Sequence, residues 1–277
     1  MPSTPTIPLR NGLAMPVIGL GTWPLRGADA AAAVRTALEA GYRLVDCAEN
    51  YRNEDGVGQG IRDAGVPREE VVVTTKFNKE WHSVDGVRQA WRASTERLGV
   101  DYIDVFMAHW PNPGQDRYVD AVRGLAALLE DGSIRAIGVA NFTPAHLQRL
   151  EDEAGLVPDI NQIQLSPYAA RRAAQDHHRA HGIVTESWSP IGGSGDGLRS
   201  DPVVAAVAAE VGRTPTQVVL RWHVQTSLVA VPKSADPGRI AENLDVFGFE
   251  LTAEQMARID GLDRGEVDVA DPDSFGH

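Results

Sequence analysis

The chain has 277 residues, 43% of them hydrophobic and 23% charged, and its 26 basic against 38 acidic side chains give a formal net charge of −12. That acidic balance argues against wrapping nucleic acid, whose phosphates require a basic footprint. No apolar run approaches the roughly 20 residues of a membrane span, "MPSTPTIPLRNG" lacks the regions of a secretory signal, and the single cysteine, Cys47, excludes an internal disulfide and fits a reducing, cytoplasmic compartment.

The first local signal is Asn11-Gly12 between two short apolar runs, which reads as a type I′ hairpin turn. Short apolar, largely β-branched runs then recur at 17–21, 42–48, 71–76, 103–109, 135–141, 160–165, 183–188 and 228–232. Such runs suit parallel strands covered on both faces. Helix-length amphipathic segments lie between them. Ser83 is placed to cap a helix that sets Val87, Trp91, Ser94 and Leu98 on one face. Thr143-Pro144 offers a cap followed by proline at the first helical position. Thr214 to Gln217 and Thr252 to Gln255 have capping-box spacing.

No linker or charge block divides the chain. Eight strands alternating with helices predict an α/β protein with a single-domain (β/α)8 TIM barrel over residues 1–277, its bottom closed by the N-terminal hairpin. The competing fold is an open doubly wound sheet, usually announced by a glycine fingerprint after the first strand. Here "GLGTWP" supplies only Gly19 and Gly21, and the pair Gly58 and Gly60 lies inside a helical pattern.

Active sites of such barrels sit at the C-terminal ends of the strands. Polar residues interrupt the apolar runs at that face: Asp46 and Tyr51 after the second strand, Lys76 ending the third, and His109 ending the fourth. Asn141 follows the fifth, Asn161 and Gln162 lie in the sixth, Trp188 ends the seventh, and Lys233 follows the eighth. A tyrosine hydroxyl is a weak acid, with an ordinary pKa of about 10. A lysine ammonium beside it would lower that value, and Asp46 would be the counter-ion a buried ammonium needs. His109 can donate a hydrogen bond to the oxygen that Tyr51 protonates. The result is a general acid aimed at a carbonyl oxygen, worth on the order of 10²–10⁴-fold in rate. The set holds neither nucleophile nor metal, so the hydride must come from an external source.

The stretches "GYRLVDCAENYRNE", "TTK", "HWP", "IGVANF", "NQIQLSPY", "ESWSP" and "VPKSADPGRIAENLDVFGFELT" resemble, in order and along nearly the whole chain, the aldo-keto reductases. The likeness is nearest to the bacterial 2,5-diketo-D-gluconate reductase-like branch. The resemblance implies an NADPH-dependent, monomeric barrel enzyme acting on small carbonyl compounds, with Tyr51 as proton donor, Lys76 and Asp46 tuning it, and His109 orienting substrate. It also implies that Asn141 and Gln162 hold the nicotinamide carboxamide and that Trp188 stacks on the nicotinamide. Lys233, Ser234 and Arg239 would bind the 2′-phosphate, with Glu242 and Asn243 near the adenine. A phosphate monoester independently calls for a cation, a hydroxyl and an arginine fork. Three departures from the family pattern bear on substrate range and cofactor affinity: Ala140 in place of a serine, Ser166 opening "SPY", and "EWH" at 80–82.

Substrate choice is expected in the loops around Trp23, Trp81 and Trp110 and in the tail "DPDSFGH", with Trp23 and Trp110 as pocket wall. Asp176-His177-His178 reads as a solvated helix face rather than a metal site, because adjacent helical residues point about 100° apart. His82, His146, His181 and His223 take the same reading, and Cys47 that of a small buried hydrophobe. Arg239 could instead serve a surface ion pair. Two rival functions remain open at this stage. One is a non-catalytic NADPH-binding, redox-sensing barrel. The other is a hydrolase built on two carboxylates, for which only Asp46 and Glu186 qualify.

Overall fold

A computed structural model describes residues 4–193 and 197–277. Strands β1 (Thr6–Pro8) and β2 (Ala14–Pro16) form the expected antiparallel hairpin, with Ile7 opposite Met15. Its turn is not type I′, which needs two residues with positive φ. Only Gly12 has positive φ, at 86°, and its N–H donates to the Leu9 carbonyl at 2.9 Å. The chain makes a three-residue turn that ends on a left-handed glycine. Leu9, Leu13 and Met15 from this hairpin pack with Leu44, Val105 and Val229, and so close the floor of the barrel.

Eight parallel strands follow: β3 (Leu20–Gly21), β4 (Leu44–Asp46), β5 (Val72–Phe77), β6 (Ile103–Ala108), β7 (Ile134–Ala140), β8 (Ile160–Gln164), β9 (Val184–Trp188) and β10 (Val229–Ala230). Each pairs with its sequence neighbour. Parallel bridges from Ile18 to Ala230 and from Gly21 to Lys233 join the two edge strands into a ring. The Gly19 and Gly21 N–H groups donate to the Ala230 and Pro232 carbonyls at 2.9 and 3.0 Å. A Cβ on Gly21 would sit 2.6 Å from the Val231 carbonyl oxygen, so closure needs glycine there. Because the seam consists of isolated bridges, β3 and β10 are shorter than the apolar runs that predict them.

Helices α1 (Gly27–Ala40), α2 (Glu54–Asp63), α3 (Val84–Leu98), α4 (Tyr118–Glu130), α5 (Pro144–Ala154) and α6 (Arg172–His181) each follow a strand. Helices α7 (Pro202–Val211) and α8 (Pro215–Gln225) precede β10, and α9 (Pro237–Leu244) and α10 (Ala253–Asp260) come after it. Their apolar stripes cover the outside of the strands, where Val34, Leu38, Leu125 and Leu147 are buried in one core cluster with the strand residues Phe106 and Ile137. The sequence-level caps are present: Ser83 accepts the Gly86 N–H, and Thr143, Thr214 and Thr252 each open a capping box. On α3, Val87, Ser94 and Leu98 are buried, while half-buried Trp91 donates its indole N–H to the Ser133 carbonyl at 3.0 Å. Alternating chemistry thus gives a barrel whose strand ends open on one face.

Candidate active site

At that face lies a cleft of about 830 Å³. The residues assigned from the sequence to catalysis, cofactor and pocket wall line it except Lys76, which lies fully buried beneath, whereas Asn161 and Trp81 do not. The Lys76 Nζ donates to Asp46 Oδ1 and Oδ2 at 2.8 and 2.7 Å and to the Cys47 carbonyl at 2.9 Å, which uses all three ammonium protons. Burial pulls the lysine pKa down, but Asp46 and Tyr51 outweigh it and keep the side chain charged. Asp46 Oδ2 also accepts Gln162 Nε2 at 2.8 Å, which ties β8 to the ion pair.

The Lys76 ammonium stands 5.2 Å from the centroid of the Tyr51 ring. Tyr51 is set between Trp23, at 5.3 Å, and His109, at 5.8 Å. The expectation that Lys76 lowers the tyrosine pKa below its ordinary value needs correction. Burial pushes it up to about 12, with Lys76 opposing and Asp46 adding to the rise. The phenol therefore holds its proton at neutral pH. His109 is neutral as well, because burial, the Lys76 charge and His277 all depress its pKa.

The cofactor candidates fall into two groups. Next to His109, the Asn141 Nδ2 donates to the His109 carbonyl at 3.1 Å, and Asn141 Oδ1 accepts the Trp188 indole N–H at 2.8 Å. Asn141 adopts a left-handed φ of 65° to do so. At the other end, Lys233 and Arg239 are exposed toward the cleft and have no ion-pair partner among the described residues. The ion-pair alternative for Arg239 is not what the structure shows. Between them Ser234 is buried, its Oγ accepting the Asp236 N–H at 3.1 Å, and Asp236 caps α9 through the Arg239 N–H. Asn243 is buried at the cleft edge, and Glu242 accepts the Thr214 hydroxyl at 2.6 Å.

Several expectations fail, each for a packing reason. Asn161 and Gln162 are neighbours on β8 and so face opposite sides of the sheet. Only Gln162 reaches the cleft, whereas Asn161 points outward, donating to the Phe142 carbonyl at 2.8 Å and lying 2.9 Å from His178 Nε2. His178 is therefore no solvated helix residue, and His82, His146 and His223 are buried too. Of the Asp176-His177-His178 run only Asp176 is exposed. Among the described residues no group of three His, Cys, Asp or Glu side chains is placed to hold a metal ion. Trp81, in a loop expected to shape substrate choice, does not line the cleft, and its indole N–H donates to the Glu49 carboxylate at 3.0 and 3.1 Å. Cys47 is buried, as expected. The two carboxylates of the hydrolase reading do not flank a cleft, because Asp46 is held by Lys76 and Glu186 is fully buried in β9.

The C-terminal tail, expected from the sequence to bear on substrate choice, lines the cleft through Phe275 and His277, which the sequence did not single out individually. Phe275 packs edge-on against Trp110 at 4.8 Å, and the His277 ring stands perpendicular to His109 at 4.7 Å. Lys79 N–H donates to the His277 carbonyl at 3.1 Å, and Asp273 pairs with His146 Nε2 at 3.1 Å. The only signal was an aromatic and a histidine in a short polar tail.

Residues 17–264 match the sequence profile described as the aldo/keto reductase family. The chain belongs to that family. Among its relatives, 2,5-diketo-D-gluconic acid reductase B of a Corynebacterium species is 46% identical over 274 residues, covering 99% of both chains. Methylglyoxal reductase DkgA of Escherichia coli is 43% identical over 276 residues, covering all of both. A variant of Gox0644 solved in complex with NADPH superposes with a TM-score of 0.94 at 40% identity, covering 99% of this chain and all of that one. Family membership makes the chain an oxidoreductase, and the cleft is the barrel mouth of an aldo/keto reductase.

Proposed function

We propose that this aldo/keto reductase uses NADPH to reduce aldehydes or ketones to alcohols, with Tyr51 as the proton donor. The observation that carries the reading is the cleft itself. A buried ammonium–carboxylate pair lies under a protonated phenol at one end, and two cations without an ion-pair partner among the described residues stand around a buried serine at the other. NADPH supplies the hydride when bound. Trp188, fixed by its bond to Asn141, offers a flat face for the nicotinamide, and Asn141 and Gln162 offer amides for its carboxamide. Lys233, Ser234 and Arg239 suit a 2′-phosphate, with Glu242 and Asn243 at the adenine edge. His109 orients the carbonyl oxygen against Tyr51, and the phenolate left after proton transfer is stabilised by Lys76, whose charge Asp46 maintains. Trp23 and Trp110, joined by Phe275 and His277, form the substrate wall.

The relatives' names make small dicarbonyl compounds such as methylglyoxal the first substrates to try. The whole chain acts as one barrel domain, monomeric and cytoplasmic, in keeping with its single buried, unpaired cysteine. A non-catalytic NADPH sensor would need the same phosphate end but not a complete Tyr51, Lys76, Asp46 and His109 set.

Titration by tryptophan fluorescence tests the phosphate end. The wild type is expected to bind NADPH more tightly than NADH. Arg239→Ala should weaken NADPH about tenfold or more, since a hydrogen bond to a charged group contributes about 1.5–3 kcal/mol, and should leave NADH nearly unchanged. Equal weakening of both would place the 2′-phosphate elsewhere, and no quenching by either would remove the reductase reading.

A further inference from the structure

Beneath the cleft floor lies a carboxyl group that the mechanism above does not use. Glu186 is fully buried on β9, and neither of its oxygens has a hydrogen-bond partner. Its strand position is directly opposite Gln162 of β8, so the two side chains share the inner face of the barrel. Gln162 lines the cleft, and its Nε2 is committed to Asp46. Glu186 thus shares a dry polar layer with Asp46, Lys76 and Gln162.

Charge counting in that layer sets its state. Lys76 and Asp46 neutralise each other at 2.7 Å. An ionised Glu186 would be a second carboxylate on one ammonium, desolvated and with no donor beyond the Gln162 amide already bound to Asp46, which is costly. The charged groups that face it are Asp46 from β4 and Lys76 from β5. β8 offers the neutral Gln162 amide, and β10 presents Val229. Burial first, then Asp46, push the Glu186 pKa up to about 8, with Lys76 and Gln162 opposing. In the free protein at neutral pH the carboxyl keeps its proton.

Oxidation of a nicotinamide turns a neutral ring into a positively charged one. We propose that Glu186 is the charge-compensating group for that change: it stays protonated with the reduced cofactor in the cleft and releases its proton to water when the oxidised cofactor binds, leaving a carboxylate below the cationic ring. The inference rests on the reductase reading and extends it. Glu186 acts through charge as a positioning residue and touches no reacting atom. In the proton balance, the carboxyl O–H breaks, the proton goes to solvent, and no electron moves.

The sign follows from linkage. The oxidised cofactor favours the carboxylate, so its affinity rises with pH up to about 8 and then levels off, while NADPH affinity does not follow. Each unit by which the cationic ring lowers the carboxyl pKa corresponds to about a tenfold gain in NADP⁺ affinity across the window. The test is the ratio of the NADP⁺ to NADPH dissociation constants, read by tryptophan fluorescence from pH 6 to 9. In the wild type the ratio should fall as pH rises. In Glu186→Gln, which keeps the shape and removes the ionisation, it should be flat, and in Tyr51→Phe the fall should persist. A fall retained in Glu186→Gln and abolished in Tyr51→Phe would assign the proton to the tyrosine and overturn the proposal. Should Glu186→Gln fail to fold, calorimetry of Tyr51→Phe in two buffers of different ionisation enthalpy decides, because greater proton release on binding NADP⁺ than NADPH supports the assignment and equal release, the 2′-phosphate being common to both, overturns it. Failure of both cofactors to bind would sink the reductase reading, whereas tight binding with a pH-independent ratio would sink only the role of Glu186.

Discussion

Tyr51 is a weaker acid in its pocket than in water, because burial outweighs the pull of Lys76. That suits the proposed donor role, in which the phenol would keep its proton until a carbonyl oxygen develops charge beside it and the Lys76 ammonium would then stabilise the phenolate. The same desolvation acts on histidines remote from the chemistry. Burial lowers the pKa of His82 and His223 to about 4 and that of His178 to about 3, against about 6.5 in an unfolded chain. The unfolded state then takes up more protons than the folded one once the pH drops below 6.5. Their contribution to stability is therefore complete above that pH and is lost as the pH falls toward 4. Urea midpoints should rise from pH 8 to 7, where Glu186 takes up its proton only in the fold, and drop between 6.5 and 4.5, where the three histidines outweigh it; no drop by 4.5 would show that these rings are protonated in the fold. Asp46, Lys76 and His109 were legible in the sequence because each interrupts an apolar run at one end, and Tyr51 because it follows Asp46 in the next turn. The remote histidines were not, since a polar side chain on a helix looks the same whether it meets water or, like His178, the Thr185 hydroxyl at 2.8 Å.

Among the elements, α2 shows why a glycine pattern misleads when it is read alone. Gly58 and Gly60 are not a phosphate-binding turn. A Cβ on Gly58 would run into the Leu98 carbonyl at the end of α3, and one on Gly60 would lie 2.5 Å from the Ala31 carbonyl oxygen of α1. These glycines let α2 wedge between its neighbours just after the Tyr51 segment. Gly58→Ala is expected to cost about 1–3 kcal/mol by overpacking, seen as a lower urea midpoint with an unchanged slope. An unchanged midpoint would mean that α2 moves aside freely. Helix starts were readable from Thr143, Thr214 and Thr252 because a cap is a local bond within four residues. The bounds of β3 and β10 and the hairpin turn type were not, because seam pairing and backbone φ depend on partners distant in sequence.

In the molecule as a whole, closing the ring through Ile18 and Ala230 brings residues from Asp46 to Asn243 around one cleft. Eightfold alternation was enough to anticipate that ring. The tail's route was not, since Phe275 and His277 reach the cleft through Lys79 and the Asp273–His146 pair, contacts that no local pattern encodes. Around the cleft a chain of net charge −12 gives Lys233 and Arg239 no ion-pair partner among the described residues, as suits an anionic cofactor. The arrangement at this scale suits the proposed hydride delivery to a carbonyl whose oxygen Tyr51 would protonate. The most direct measurement is methylglyoxal-dependent oxidation of NADPH by Tyr51→Phe beside the wild type, at saturating cofactor and with NADPH binding followed in parallel. Turnover should fall on the order of 10²–10⁴-fold with NADPH affinity nearly unchanged; turnover equal to the wild type would contradict the assignment of Tyr51 as the proton donor.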